Sequence, residues 1–393
     1  MSMPPRHTPS EVYALIEGEL KPHFEALVEC ASTSELRAHP VYRSIESTVL
    51  TVLATTDLGS YASVEAPPKG RYRVLSWNLE RGVELEGQIE ACRTHPYLKD
   101  VDLFLLTETD VGMARSGNLA VAQTMARELG LYYAFAPCYL NLAKGSGVEF
   151  DVAGENQLGL HGNAVLSRYP LSSARAIPLK NGKDKMSGRE KRLGNQTALA
   201  VDVALPGLPL TAVAVHLDAQ SRQSHRQKQM LDILDALGDV DRALIGGDWN
   251  TTTHNSSRAF YAIMGYWLRV FLGIDRSIEH YLHPYRWFEK GLFSLLEERG
   301  FDYRSCNKLG ERTLSYQVDD MKTRKNLGEW VPGWCFAFIR WALRNHEGRC
   351  PLKVDWFAAR GLVTEHPVVF HEFREGRTVP LSDHDAIGVE LVS

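Results

Sequence analysis

Asp248 and Asn250 stand two residues apart in Gly246-Gly247-Asp248-Trp249-Asn250-Thr251, directly after the apolar run Ala243-Leu244-Ile245. The pattern predicts a buried strand that ends in a glycine turn and presents both side chains at its mouth. Two glycines let the backbone turn tightly and approach a ligand. Alternate residues of an extended chain point the same way. A carboxylate beside an amide could hold a water molecule and a phosphoryl oxygen. Asp-x-Asn is also ordinary turn chemistry, so the pair needs partners elsewhere in the chain.

Such partners recur at the ends of other predicted strands. Asn78 and Glu80 close the run from Tyr72 and share one face. Glu108 closes the apolar run from Val101, His216 the run from Leu210, and Asp355 lies in Lys353-Val354-Asp355-Trp356-Phe357-Ala358. Asp383 and His384 open the last strand. With Asp248 and Asn250 these groups include five carboxylates, which would repel one another and resist desolvation without a counterion. Hard oxygen ligands of this kind suit Mg²⁺, or Mn²⁺, which bind through a few carboxylates and keep waters for substrate phosphates. A soft metal would want thiolates, yet the six cysteines are scattered without CxxC spacing. That usage points to a reduced compartment rather than a disulfide framework or a zinc site.

The elements that must position these groups can be read in order. Residues 9 to 53 carry Val12, Leu15, Ile16, Leu20, Phe24, Leu27 and Val28 on one helical face, with Thr8 and Ser10 as candidate caps. This helical extension either packs on the main domain or forms an oligomer contact, and a Pro- and Gly-bearing linker ends it near residue 70. From residue 71 strands dominate, many joined by short turns, with helices expected over 85–99, 120–129 and 222–237. That balance predicts two β-sheets packed face to face with helices outside. Lys180 to Arg192 is a basic loop that reads equally as an anion grip or a solvated hairpin. Residues 252 to 350 form a helical, aromatic-rich insert. Phe260, Ile263, Met264, Trp267, Leu268, Phe271 and Ile274 make one apolar face, and residues 288–299 suggest a further helix. Trp330, Trp334, Phe336, Phe338 and Trp341 make an aromatic cluster. The insert reads as a self-packed subdomain, as a lid for a lipid-like substrate, or as a base-stacking surface.

Composition sets the outer bounds. At 393 residues, 44% hydrophobic and 23% charged, the chain can bury a large core. A formal net charge of −4 gives no global field for nucleic acid or anionic membrane, so any such attraction must be local. No run of about eighteen apolar residues predicts a spanning helix. The N-terminus lacks the apolar core of a signal peptide, which makes the cytoplasm the expected location.

The ordered set WNxE, TE, GNAxLSR, HL, GDWN, KVDWF and SDH resembles the endonuclease/exonuclease/phosphatase superfamily, which includes neutral sphingomyelinase-like and inositol-polyphosphate-phosphatase-like members. The resemblance covers residues 71–251 and 351–393; each motif is weak alone, and seven in this order are specific. It implies an α/β (α+β) four-layer sandwich with two central mixed sheets, and Mg²⁺-dependent hydrolysis of phosphate esters. Carried over motif by motif, it implies metal binding by Glu108, by Glu80 (where many members have Asp) and by Asp383. It implies that Asp248 handles the water or the leaving group, with Asn250 beside it. It assigns His384 as the family histidine oriented by Asp355, and His216 as a second histidine. Asn78 and Asn163 would contact phosphate. The expected substrate is a nucleic acid, a phospholipid or a soluble phosphoester, most simply a diester. The alternative is a non-catalytic protein of the same fold that binds a phospho-ligand or partner.

Overall fold

The computed structural model describes residues 8–64, 66–145, 147–251, 273–317, 340–341 and 343–393. Within them, strands β1 to β5 span Asp57–Ser60, Arg71–Arg81, Leu103–Val111, Tyr132–Asn141 and Leu160–Ser167. Strands β6 to β10 span Leu171–Leu179, Arg192–Gly194, Gln196–Val203, Leu210–Ala214 and Ala243–Asp248. Strands β11 to β15 span Leu314–Gln317, Arg349–Leu352, Asp355–Arg360, Val363–Phe370 and Ala386–Val392. One sheet runs β1-β4-β5-β3-β2-β15-β14, with β7 added to β4; the other runs β13-β10-β9-β8-β6. Both are mixed, because β2/β3 and β9/β10 pair parallel while their other neighbours pair antiparallel. The expected pair of packed mixed sheets with outer helices is the architecture observed.

Period-two alternation explains the layers. On β2, Tyr72 and Val74 face the space between the sheets, while Leu75, Trp77 and Leu79 face an outer core. That outer core also takes in Leu20, Leu36, Val49 and Val52 of the N-terminal helices. Leu103 and Leu105 of β3, Leu244 of β10 and Phe357 of β13 fill the inter-sheet space. Ile245, Trp249 and Trp356 face the opposite outer core, against Ile233 and Leu234 of helix Gln223–Leu237. Followed toward one end of the strands, the inter-sheet rows become polar. Val74 gives way to Ser76 and Asn78, Phe357 to Asp355, and Leu244 to Gly246 and Asp248. The candidate site is therefore the polar end of the main core.

Two sequence readings are corrected here. Gly246 and Gly247 lie inside β10, paired with Phe357 and Trp356, and do not form a turn toward a ligand. A Cβ on Gly247, whose φ is +146°, would lie 1.9 Å from the Val215 carbonyl oxygen, so the glycines serve close strand packing. The basic loop is neither open nor solvated throughout. Lys185 pairs with Asp218, Lys191 donates to the Cys30 and Met186 carbonyls, and Arg192 lies over the Tyr139 ring.

The N-terminal extension is fastened to that loop. The Thr33 backbone and hydroxyl both donate to Asp184, at 2.8 and 2.5 Å, and Lys21 donates to the Gln157 carbonyl. In the insert, Ile274–Leu282 and Lys290–Glu298 are helices. Phe260, Ile263, Met264, Trp267, Leu268, Phe271, Trp330, Trp334, Phe336 and Phe338 lie outside the described residues. Among the described residues no helix is long and apolar enough to cross a membrane.

Candidate active site

Asn78, Glu108, His216, Asp248, Asn250, Asp355 and His384 meet at one rim. Asp248 is central. Its Oδ2 lies 3.4 Å from Asn78 Nδ2, 3.1 Å from Asn250 Nδ2, 3.4 Å from His216 Nε2 and 3.7 Å from His384 Nε2. Asn78 Nδ2 also donates to Glu108 Oε1 at 3.2 Å, so one amide bridges two carboxylates from different sheets. His384 Nδ1 lies 2.9 Å from Asp355 Oδ2. The segment before β11 fixes that pair: the Thr313 hydroxyl accepts from the Val354 and Asp355 backbones, and the Thr313 carbonyl accepts from the Asp385 N–H. Ser382 donates to the Asn78 carbonyl at 2.6 Å and accepts from the His384 N–H.

Backbone irregularities aim the acidic groups. Alternation would send Glu108 to the outer face with Leu106. A register shift between Leu106 and Thr109, with φ +53° at Glu108, turns it inward. Glu80 (φ +46°) and Asn250 (φ +49°) are also left-handed. Such backbone costs about 1–3 kcal/mol per non-glycine residue and gathers where a site demands it. Glu80 and Asp383 stand at the edge of the cluster, where Asp383 lies within electrostatic reach of His384, Glu80 and Glu108. Asn163 differs from the other expected site residues: its amide nitrogen donates to the Thr197 carbonyl at 2.7 Å, tying β5 to β8.

Protonation follows from burial and charge. Burial would raise the Glu108 carboxyl, but Arg81, His216, His161 and His384 outweigh it and hold Glu108 below the ordinary range. Burial raises Asp248, and His384 only partly offsets this. His384 shows the reverse balance: burial disfavours its cation, yet Asp355 and Asp248 raise it well above an ordinary imidazole. Burial lowers His216 to about 4 despite Glu108, so it is neutral near pH 7. The ligand atoms of Asp248, Asp355 and His384 lie within 4.8 Å of one another, a spacing that suits a metal ion, but a protonated His384 has no lone pair to offer, which leaves the carboxylates as ligands. Carboxylate oxygens at this rim, among them the ionised Glu108, are the donor type that a hard divalent cation takes.

Sequence reasoning missed a buried ionic cluster behind Glu108. Arg115 pairs with Asp110 through Nε and Nη2, at 2.7 and 3.0 Å, and reaches Glu149 and Glu190 through Nη1. His161 Nδ1 lies 2.7 Å from Asp110 Oδ1. Burial would raise both carboxyls. Arg115 lowers Asp110 to about 2, and Arg192 with Arg115 lowers Glu190 to about 2. A depressed carboxyl stabilises the fold above its unfolded pKa, and that contribution is lost as pH falls through the folded value. We therefore expect the urea midpoint to drop steeply between about pH 4 and pH 2, and an Asp110→Asn variant to show a shallower acid limb.

The chain belongs to the endonuclease/exonuclease/phosphatase family, whose model matches residues 75–384. Membership of that family supports a phosphoesterase- or nuclease-type hydrolase. It is similar in structure to an endonuclease/exonuclease/phosphatase from Beutenbergia cavernae at 14% identity and TM-score 0.50, covering 82% of this chain and 72% of that one. Danio rerio TDP2 in complex with a single-strand DNA product matches at 10% identity and TM-score 0.45, covering 83% and 100%. The human Nocturnin catalytic domain with bound sulfate matches at 15% and 0.44, covering 86% and 96%. No curated protein matches the chain by sequence.

Proposed function

We propose that the protein is a Mg²⁺-dependent phosphodiesterase, with Mn²⁺ as a possible substitute. The observation that supports this reading is the single rim where Glu108, Asp248, His216 and the His384–Asp355 pair converge around the Asn78 amide. Glu108, with Glu80 and Asp383 beside it, would hold the ion, which when bound neutralises charge on the phosphoryl and leaving oxygens. Asp248 takes the proton of the attacking water; burial makes it a stronger base than an ordinary carboxylate. Asn250 and Asn78 hold its Oδ2 in place. His384, kept protonated and oriented by Asp355, donates through Nε2 to a phosphoryl oxygen as charge builds there. His216 supplies a neutral ring nitrogen on the other side of Asp248. Asn163 would act at one remove, by fixing the two sheets. The free thiols of Cys30, Cys92, Cys138, Cys306 and Cys350 support a cytoplasmic location.

The test is hydrolysis of bis-p-nitrophenyl phosphate, followed by a screen of plasmid DNA, oligonucleotides, sphingomyelin and inositol phosphates. EDTA should remove activity and added Mg²⁺ should restore it. Turnover that survives EDTA would sink the metal-dependent mechanism.

A further inference from the structure

We infer that Arg81 is the phosphate grip of this site, an inference that rests on the phosphoesterase reading above. Strand β2 loses its alternation at its end: Glu80, Arg81 and Gly82 are consecutive left-handed residues, with φ of +46°, +68° and +73°. A position at φ +68° is easiest for glycine, yet the chain places a long cation there. The turn carries the guanidinium to Glu108. Arg81 Nη1 lies 3.7 Å from Glu108 Oε2, beyond hydrogen-bond length, while Nε lies 3.1 Å from Glu149 Oε1.

Glu149 is held in turn by Arg115 Nη1 at 3.1 Å. The Nε side is thus anchored from the buried cluster, and the Nη side looks toward the acidic rim. The Arg81 side chain is 30% exposed, where Arg115 is 2% exposed, so Arg81 is the one of the two that an incoming anion can reach. Arg81 thus stands within ion-pair range of Glu108, at the edge of the acidic rim. A rim of carboxylates repels an anionic ester even when partly neutralised. A guanidinium fixed from behind offers a planar fork that matches two phosphoryl oxygens and compensates that repulsion. A phosphoryl group seated between Glu108 and His384 would meet the Nη atoms.

The Arg81→Gly variant separates this role from a structural one, because glycine suits the backbone while the guanidinium is lost. At saturating Mg²⁺ the KM for bis-p-nitrophenyl phosphate should rise about tenfold to a hundredfold. The Kd for inorganic phosphate, measured by titration calorimetry with Mg²⁺ and again in EDTA, should rise in parallel. Glycine relieves the left-handed backbone strain and so offsets part of the lost pairing with Glu108 and Glu149, so the fold should persist by circular dichroism, and Arg81→Lys should fall between in KM. Unchanged KM and phosphate affinity, with only the Mg²⁺ requirement shifted, would overturn the assignment and leave Arg81 as a neutraliser of Glu108. Should the wild-type chain bind phosphate through Arg81 without turning over any ester, the hydrolase reading fails and the grip stands.

Discussion

Asp248→Asn should lower turnover of bis-p-nitrophenyl phosphate about a thousandfold or more while leaving the fold intact or more stable. The substitution keeps shape and volume but removes the base that both imidazoles and both amides address. The stability side has a definite sign. Asp248 is raised in the folded chain because burial penalises its charge. Raised to about 8, it must take up a proton on folding at neutral pH, which costs stability, and a neutral amide relieves that penalty. Steady-state kinetics and a urea titration on the same preparation check both halves. An activity loss under tenfold would remove Asp248 from the chemistry; a collapse of stability would show that its role is structural.

The largest expected effect on stability comes from Arg115→Met. Methionine fills similar volume without charge, so the change isolates the ionic role. It leaves Asp110, which is fully buried, without its guanidinium, and removes a partner from Glu149 and Glu190. Losing one member of a buried ion pair costs about 3–5 kcal/mol, because the remaining charge has no compensation. The urea midpoint should fall accordingly at pH 7 and much less at pH 3, where the carboxyls begin to take up protons. An equal loss at both pH values would mean that packing, not charge, sets the role of Arg115.

Which of this was legible in the sequence depended on whether alternation held. Tyr72, Val74, Asn78, Asp355 and Asp248 obey period two, so their strand ends could be read and their faces matched. Glu108 could be picked as a strand-end carboxylate, but its direction comes from a bulge that no local pattern announces. Arg81 stood beside Glu80 in plain sight and was passed over, because two left-handed residues in a row are not a propensity signal. The Arg115 cluster joins residues 110, 115, 149, 161 and 190 through tertiary contacts alone. Gly246 and Gly247 misled in the opposite sense: glycine signals close approach, but the approaching group is the Val215 carbonyl, not a ligand.

The bonds from Thr33 to Asp184 and from Lys191 to Cys30 have a further meaning. The same loop reaches Asp218 through the Gly182 N–H and Lys185, and Asp218 follows His216 by two residues. Helices that precede the family-matched region thus brace the wall of the cleft from the rear. Fraying of the first fifty residues and loosening of the histidine-bearing wall should therefore occur together, with the amino-terminal segment helping to keep the candidate site rigid.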